Sequence, residues 1–127
     1  MRKYKLHTNY KQILADTITP VSVYLKIRDK FPNSILLESS DYHANDNSFS
    51  YICFNPIASI KVENQKIETN FPDGFSEIIP IDSNVNVAKE IENFSNQFQT
   101  EKSDFKFITQ GLFGYLAYDA IQYFEKV

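Results

Sequence analysis

The sequence predicts a small α+β domain, with a largely antiparallel sheet and two or three packed helices. A length of 127 residues leaves room for one ordinary domain. Apolar residues make up 43% of the chain, which is typical of globular proteins. Short strand-like segments outnumber the helical ones and are joined by hairpin-type turns, which favours antiparallel pairing.

Helical signals occur in three segments. Val21–Lys30 has a mostly helical spacing of apolar residues, with Thr19 as N-cap, Pro20 suited to the first helical position and Pro32 preventing continuation. A third helix is predicted to begin near Asp119, another good N-cap residue. The second helix is indicated by four apolar residues on one helical face: Val87, Ile91, Phe94 and Phe98.

Strand signals fill most of the remaining chain. A short first strand is possible near Tyr4, and residues 71–86 are predicted to be irregular with a turn at 72–74. The other predicted strands are Ile35–Glu38, a central strand over residues 49–54, a hairpin formed by Ile60–Val62 and Ile67–Thr69, and a strand from Phe105 to Tyr115.

Composition excludes several classes of function. The net charge of −3 is spread along the chain, so there is no basic face for nucleic acid. No run approaches the ~18 apolar residues of a membrane span, and the N-terminus lacks the apolar core of a secretory signal. The single cysteine, Cys53, cannot form an internal disulfide, which favours a reducing compartment and a cytoplasmic location.

Common catalytic motifs are absent from the sequence. There is no phosphate-binding glycine loop, zinc-protease motif or nucleophile elbow. His7 and His43 lack a companion cysteine cluster, so a zinc site is not expected. Cys53 is interpreted as a small core residue, although a nucleophilic pair with His43 stays open. The carboxylates Asp16, Glu38, Asp119 and Glu125 each flank apolar segments, and taken alone they suit helix caps or strand ends.

Four stretches of the sequence, taken together, indicate a protein family. They are LADTITPVSVYLKI (Leu14–Ile27), LLES (Leu36–Ser39), FSYICFNPIA (Phe49–Ala58) and GLFGYLAYDAIQYFE (Gly111–Glu125). In this order and spacing, the combination resembles the N-terminal region of anthranilate synthase component I, a chorismate-utilising enzyme family. The chain departs from the family pattern at Ser48–Ser50, where a basic residue is common, at Cys53, where glycine is common, and at Gln122, where arginine is common.

The resemblance implies that residues 1–127 are the regulatory N-terminal region of a larger α/β-sandwich enzyme. The apolar helical rhythm that continues to Val127 also suggests a piece of a longer protein. The family's parent is a lyase of tryptophan biosynthesis that converts chorismate to anthranilate and pyruvate. It uses magnesium and ammonia from a glutamine amidotransferase subunit. Its catalytic region is not represented here, so we expect no catalytic residue, no cofactor and no activity for this chain alone.

The family's N-terminal region also carries feedback inhibition by tryptophan, and its LLES segment forms part of the allosteric pocket. The matching candidates here are Leu37, Glu38 and Ser39. Glu38 would accept hydrogen bonds from the tryptophan ammonium, Ser39 would orient the ligand, and Leu37 would face the indole. A charge-assisted contact of this kind contributes about 1.5–3 kcal/mol.

Two alternatives remain open from the sequence. One is the corresponding region of aminodeoxychorismate synthase component I, a close relative in folate synthesis, which the catalytic region would distinguish. The other is a free-standing module that binds an amino acid without catalysing a reaction.

Overall fold

Two structural units make up the chain, and each is described separately. The computed structural model describes residues 3–38, 49–101 and 111–123. One unit consists of Met1–Thr8 together with Ile57–Val127, and the other of Asn9–Pro56. The elements are β1 (Tyr4–Lys5), α1 (Pro20–Arg28), β2 (Ile35–Glu38), β3 (Ser50–Cys53), β4 (Ser59–Glu63), β5 (Lys66–Asn70), β6 (Ser76–Pro80), α2 (Val87–Ser95), β7 (Phe98–Gln99) and a 3₁₀ helix, η1 (Tyr118–Tyr123).

Helix α1 begins where the sequence predicted. The Ser22 backbone N–H donates to Thr19 Oγ1 at 3.2 Å, and the Thr19 N–H donates to Ser22 Oγ at 3.3 Å, which completes a capping box. Pro20 occupies the first helical position, where its missing N–H leaves no hydrogen bond unmade. The helix ends at Arg28, two residues before the predicted end, and Asp29 is its C-cap.

Strands β2 and β3 form an antiparallel pair beside α1. Their register runs from Ile35 opposite Cys53 to Glu38 opposite Ser50, so both predicted strands are confirmed. In the described residues β3 has β2 as its one neighbouring strand, so the prediction that it is a central strand is wrong. Helix α1 contacts both strands, and the Tyr24 hydroxyl donates to the Ser34 carbonyl oxygen at 3.5 Å. This arrangement fixes the position of the β2 end that carries Glu38.

The three-stranded sheet β4–β5–β6 is antiparallel throughout. Asn64 and Gln65 both have positive φ, at 55° and 63°, as a tight hairpin turn requires, and the predicted β4–β5 hairpin is confirmed. Strand β6 corrects the prediction of an irregular segment at 71–86. A second turn at 71–74, with Gly74 at φ 87°, returns the chain alongside β5. Pro80 ends β6 at an edge of the sheet, where proline is tolerated.

Helix α2 is confirmed, but it is shorter than predicted. Asn86 caps its start by accepting from the Lys89 N–H at 3.1 Å, and the helix ends at Ser95. Phe98, which the spacing had placed on this helix, lies instead in β7 and pairs in parallel with Tyr4 of β1. The two rings stack with centroids 5.4 Å apart. The secondary structure of Phe98 therefore follows its pairing with β1 and not its helical spacing from the residues of α2.

An aromatic core fills the unit that contains β4–β6 and α2. Phe71 packs against Phe94 with ring centroids 5.4 Å apart, and Phe94 packs edge-on against Phe98 at 5.3 Å. Ile67 and Val87 are buried beside them. Cross-strand partners share a face of the sheet, so Val62, Ile67 and Ile79 line the inner side.

The C-terminal segment differs from its prediction. Residues 102–110, where the strand predicted from Phe105 to Tyr115 begins, lie outside the described residues. Residues 111–117 form no strand, so that part of the prediction is wrong. The predicted helix is a 3₁₀ helix, and Asp119 lies inside its first turn instead of capping it. A 3₁₀ helix is tighter than an α-helix, and such helices are usually short.

The α+β class is confirmed, because helices combine with strands that are mostly antiparallel. The described strands form three small sheets, of which only β1–β7 is parallel. None of the helices in the described ranges is long and apolar enough to cross a membrane.

Candidate functional site

The candidate site is the C-terminal end of β2. Side chains alternate between the two faces of a strand, so Leu36 and Glu38 lie on one face of the β2–β3 pair, and Ile35 and Leu37 lie on the other. Leu37 and Glu38 are both exposed. The structure therefore presents both side chains at the surface, but on opposite faces of the pair. Ser39 lies outside the described residues.

The carboxylate of Glu38 is exposed at the end of β2. It has no ion pair or hydrogen bond to any other residue in the described ranges, and the same is true of the exposed Glu77 carboxylate on β6. An exposed, unpaired carboxylate at a strand end can accept hydrogen bonds from an ammonium group.

Ser50 is a candidate that sequence reasoning missed. It lies directly opposite Glu38, on the same face of the β2–β3 pair, and it is exposed. Directly opposed residues have Cβ atoms about 4.5–5.5 Å apart. A hydroxyl and a carboxylate at this spacing can hold one ligand group together. The register of the antiparallel β2–β3 pair places the two residues opposite each other, and the sequence does not specify that register by itself.

Cys53 does not have the properties of a reactive thiol. It lies at the end of β3, opposite Ile35, and is half-buried. Burial raises the pKa of its thiol, which keeps the sulfur protonated at neutral pH. His43, its possible partner, lies outside the described residues.

A cavity of about 400 Å³ lies in the other unit, between the end of α2 and the segment at 111–112. Leu6, Ile57, Phe98 and Leu112 contribute its apolar walls, and Ser95, Asn96 and Thr100 contribute polar atoms. None of its described lining residues carries a charge. Its polar lining groups are therefore uncharged hydrogen-bonding groups, whereas the β2 end carries a carboxylate.

Metal-binding chemistry was also considered. Within residues 3–38, 49–101 and 111–123, no three histidine, cysteine, aspartate or glutamate side chains come close enough together to hold an ion. Asp16 lies in an exposed turn before α1, and Asp119 lies in η1. Glu125 is outside the described residues.

Comparison with known proteins identifies two relatives. The chain is 34% identical over 119 residues to anthranilate synthase component 1 of Lactococcus lactis, a match that covers 92% of this chain. It is 26% identical over 124 residues to anthranilate synthase component 1 of Aquifex aeolicus, covering 98% of this chain. No protein-family model and no solved structure matches the chain.

These matches confirm the resemblance predicted from the four motifs. The chain is related to anthranilate synthase component 1 along almost its whole length. It spans about a quarter of the length of these relatives, 24% in both cases.

Proposed function

We propose that this relative of anthranilate synthase component 1 is the N-terminal regulatory region of such an enzyme and forms part of a tryptophan-binding site. The observation that carries the proposal is the exposed Glu38 carboxylate at the end of β2, within the LLES segment and without a partner among the described residues. The similarity to both relatives over 92% and 98% of the chain supports the wider assignment.

In this proposal the longer parent converts chorismate to anthranilate and pyruvate, with ammonia supplied by a glutamine amidotransferase subunit. The catalytic residues and the magnesium-binding carboxylates belong to the remaining three quarters of the parent. The residues described here supply a binding surface and structural support, and the chain alone turns over no chorismate.

The chemistry of the β2 end suits the polar part of tryptophan. Glu38 accepts hydrogen bonds from the ammonium, a contact of about 1.5–3 kcal/mol, and Ser50 opposite it offers a hydroxyl to the same group. Leu37 lies on the other face of the β2–β3 pair. A single ligand can therefore contact both Leu37 and Glu38 only by reaching around the end of β2. Ser39 follows at that point in the sequence, and the parent's remaining part completes the pocket.

Inhibition requires that tryptophan bind one state of the enzyme more tightly than another. A coupling free energy of about 1–3 kcal/mol is typical, which corresponds to roughly 5–150-fold in affinity. Removing the ammonium contact removes this difference without touching the chemical step.

The test uses the full-length protein with Glu38→Ala and Ser39→Phe, measuring anthranilate formation against tryptophan concentration. We expect turnover to be preserved and the inhibition curve to shift to higher tryptophan. Glu77→Ala, which removes an exposed carboxylate from β6, is the matched control and should leave the curve in place. Curves for the Glu38 and Ser39 variants that superimpose on the wild type would contradict the assignment of this site.

The same assay separates the alternatives. Formation of aminodeoxychorismate instead of anthranilate would move the parent to folate synthesis. Calorimetry on the 127-residue chain alone should detect weak or no tryptophan binding, because half of the pocket is missing. Micromolar binding there would favour a free-standing amino-acid-binding module.

A further inference from the structure

The described residues of unit Asn9–Pro56 include no buried apolar side chain. Among its described residues only Ser34 is buried, and Ser34 is polar. The buried hydrophobic side chains of the described chain all belong to the other unit. A unit held together mainly by half-buried contacts needs an additional surface to pack against.

Helix α1 is apolar on two faces. Tyr24 and Ile27 are half-buried on the face that contacts β2 and β3. Val21 and Leu25, one turn apart, share a different face and are exposed. A helix that is apolar around much of its circumference is typical of one that is buried on both sides.

The chain before α1 continues this exposed apolar surface. Every residue from 7 to 22 is exposed, and Ile13 and Leu14 are 67% and 85% exposed. Isolated exposed apolar residues are ordinary, but several within a short stretch of chain are typical of an interaction surface. We call this surface the apolar strip; it consists of Ile13, Leu14, Ile18, Val21 and Leu25.

We infer that the apolar strip is the face on which the remaining part of the longer parent packs, an inference that rests on the proposed function. The length of the relatives supports this occupant, because the chain spans 24% of each and about three quarters of such a protein is left to cover the strip. Charges of both signs, from Lys11, Asp16 and Lys26, lie along the same stretch. Protein interfaces have polar rims of this kind, whereas a membrane-surface helix would be uniformly basic.

The outer face of the β4–β5–β6 sheet supplies the comparison. Lys61 pairs with Glu63 at 2.8 Å and Lys66 with Glu68 at 3.2 Å, so this face is charged and suited to water. Ile78 lies on it, opposite Glu68, and is 60% exposed. Ile78 thus resembles Ile13 in residue type and exposure, but it has charged neighbours.

The test measures how accessible the two positions are in the full-length protein. Ile13→Cys and Ile78→Cys variants are treated with iodoacetamide, and modification at each site is followed by peptide mass spectrometry, which separates it from Cys53. We expect Cys at position 13 to react at least tenfold more slowly than Cys at position 78, and the difference to vanish after denaturation. Circular dichroism spectra that match that of the wild type check that both variants fold.

Equal rates at the two positions in an active protein would overturn the inference while leaving the proposed function intact. Protection at position 13 that disappears when the protein is diluted would also overturn the inference, because a second copy of the protein would then be what shields the apolar strip. Protection without anthranilate formation would place the failure in the proposed function and still support packing against the rest of the chain.

Discussion

Glu38 lies directly opposite Ser50 across the antiparallel β2–β3 pair. Both side chains are exposed and lie on the same face, so a carboxylate and a hydroxyl are neighbours on the surface. This relationship adds a second residue to the LLES segment's candidate site, and Ser50, which lies outside that segment, allows the site to be tested.

The first prediction concerns Ser50→Lys in the full-length protein. A lysine opposite Glu38 forms a cross-strand ion pair and occupies the carboxylate that would otherwise bind an ammonium. We expect about tenfold or greater loss of tryptophan inhibition, since losing a charge-assisted contact costs about 1.5–3 kcal/mol. The measurement is the tryptophan concentration that gives half-inhibition.

Ser76→Lys is the control for this prediction, because Ser76 is an exposed strand serine opposite Asn70 in the other unit. It should leave inhibition unchanged. An unchanged inhibition curve for Ser50→Lys would show that this face of the pair does not contact the inhibitor.

The second prediction concerns the aromatic core. Phe94 is 2% exposed and contacts Phe71 and Phe98. Phe94→Ala should lower the free energy of unfolding of its unit by about 3–5 kcal/mol, because it leaves a cavity that the neighbouring rings cannot fill. Urea denaturation followed by tyrosine fluorescence measures the change. Ile78→Ala at the exposed sheet face should stay within about 0.5 kcal/mol of the wild type, and a similar loss in both variants would argue against this core.

The third prediction concerns the start of α1. Thr19→Ala removes the side-chain half of the capping box and should destabilise the protein by about 1 kcal/mol, whereas Thr19→Ser should retain most of the stability. The exposed Thr17, two residues earlier, is the control position for an alanine substitution. Thermal denaturation compares the variants, and an equal effect at positions 17 and 19 would contradict the capping role.

The fourth prediction concerns pH. The hydrogen bond and charge of Lys61 lower the pKa of the Glu63 carboxyl below its ordinary value. Because the folded-state pKa is lowered, the stabilisation is present above the unfolded-state pKa and is lost as the pH falls through the folded-state pKa. An NMR titration should show the pKa of Glu63 returning toward its ordinary value in Lys61→Met.

Lys89→Met, which removes a partner of Glu92 in α2, is the control for this titration. Both residues of the Lys61–Glu63 pair are exposed, so 1 M salt should weaken the effect by screening. A pKa of Glu63 that does not respond to Lys61→Met would show that the pair does not persist in solution.

Local signals in the sequence were sufficient to predict the elements that are bounded by a strong helix cap or a tight turn. Thr19 and Pro20 define the start of α1 through contacts within one turn, and Asn64 and Gln65 define the β4–β5 hairpin. Such features depend on neighbouring residues only, so they can be predicted without knowledge of the tertiary structure.

The incorrect predictions have a non-local origin. In β6 the adjacent Ile78 and Ile79 give no alternation, and the strand forms because it pairs with β5. Phe98 fits the spacing of α2, yet it pairs with Tyr4 at the other end of the chain. Both depend on a partner strand that local periodicity does not reveal: β5 for β6, although the turn between them was predicted, and β1 for Phe98.

The candidate site was only partly predictable. Periodicity alone indicates that Glu38 ends a strand, and its interpretation as a binding residue came from the resemblance carried by four motifs. Ser50 required the register of β2 against β3, which the sequence does not specify by itself.

The pairing of β1 with β7 has a consequence for how the protein is made. His7, just after β1, contacts Glu101 at a separation of 94 positions, and Tyr4 pairs with Phe98. During translation at about 5–20 residues per second, β1 must therefore wait several seconds for its partner strand, and all of Asn9–Pro56 is synthesised in that interval. Contacts between distant positions slow folding, so β1 stays without its β7 partner until the intervening chain has been made.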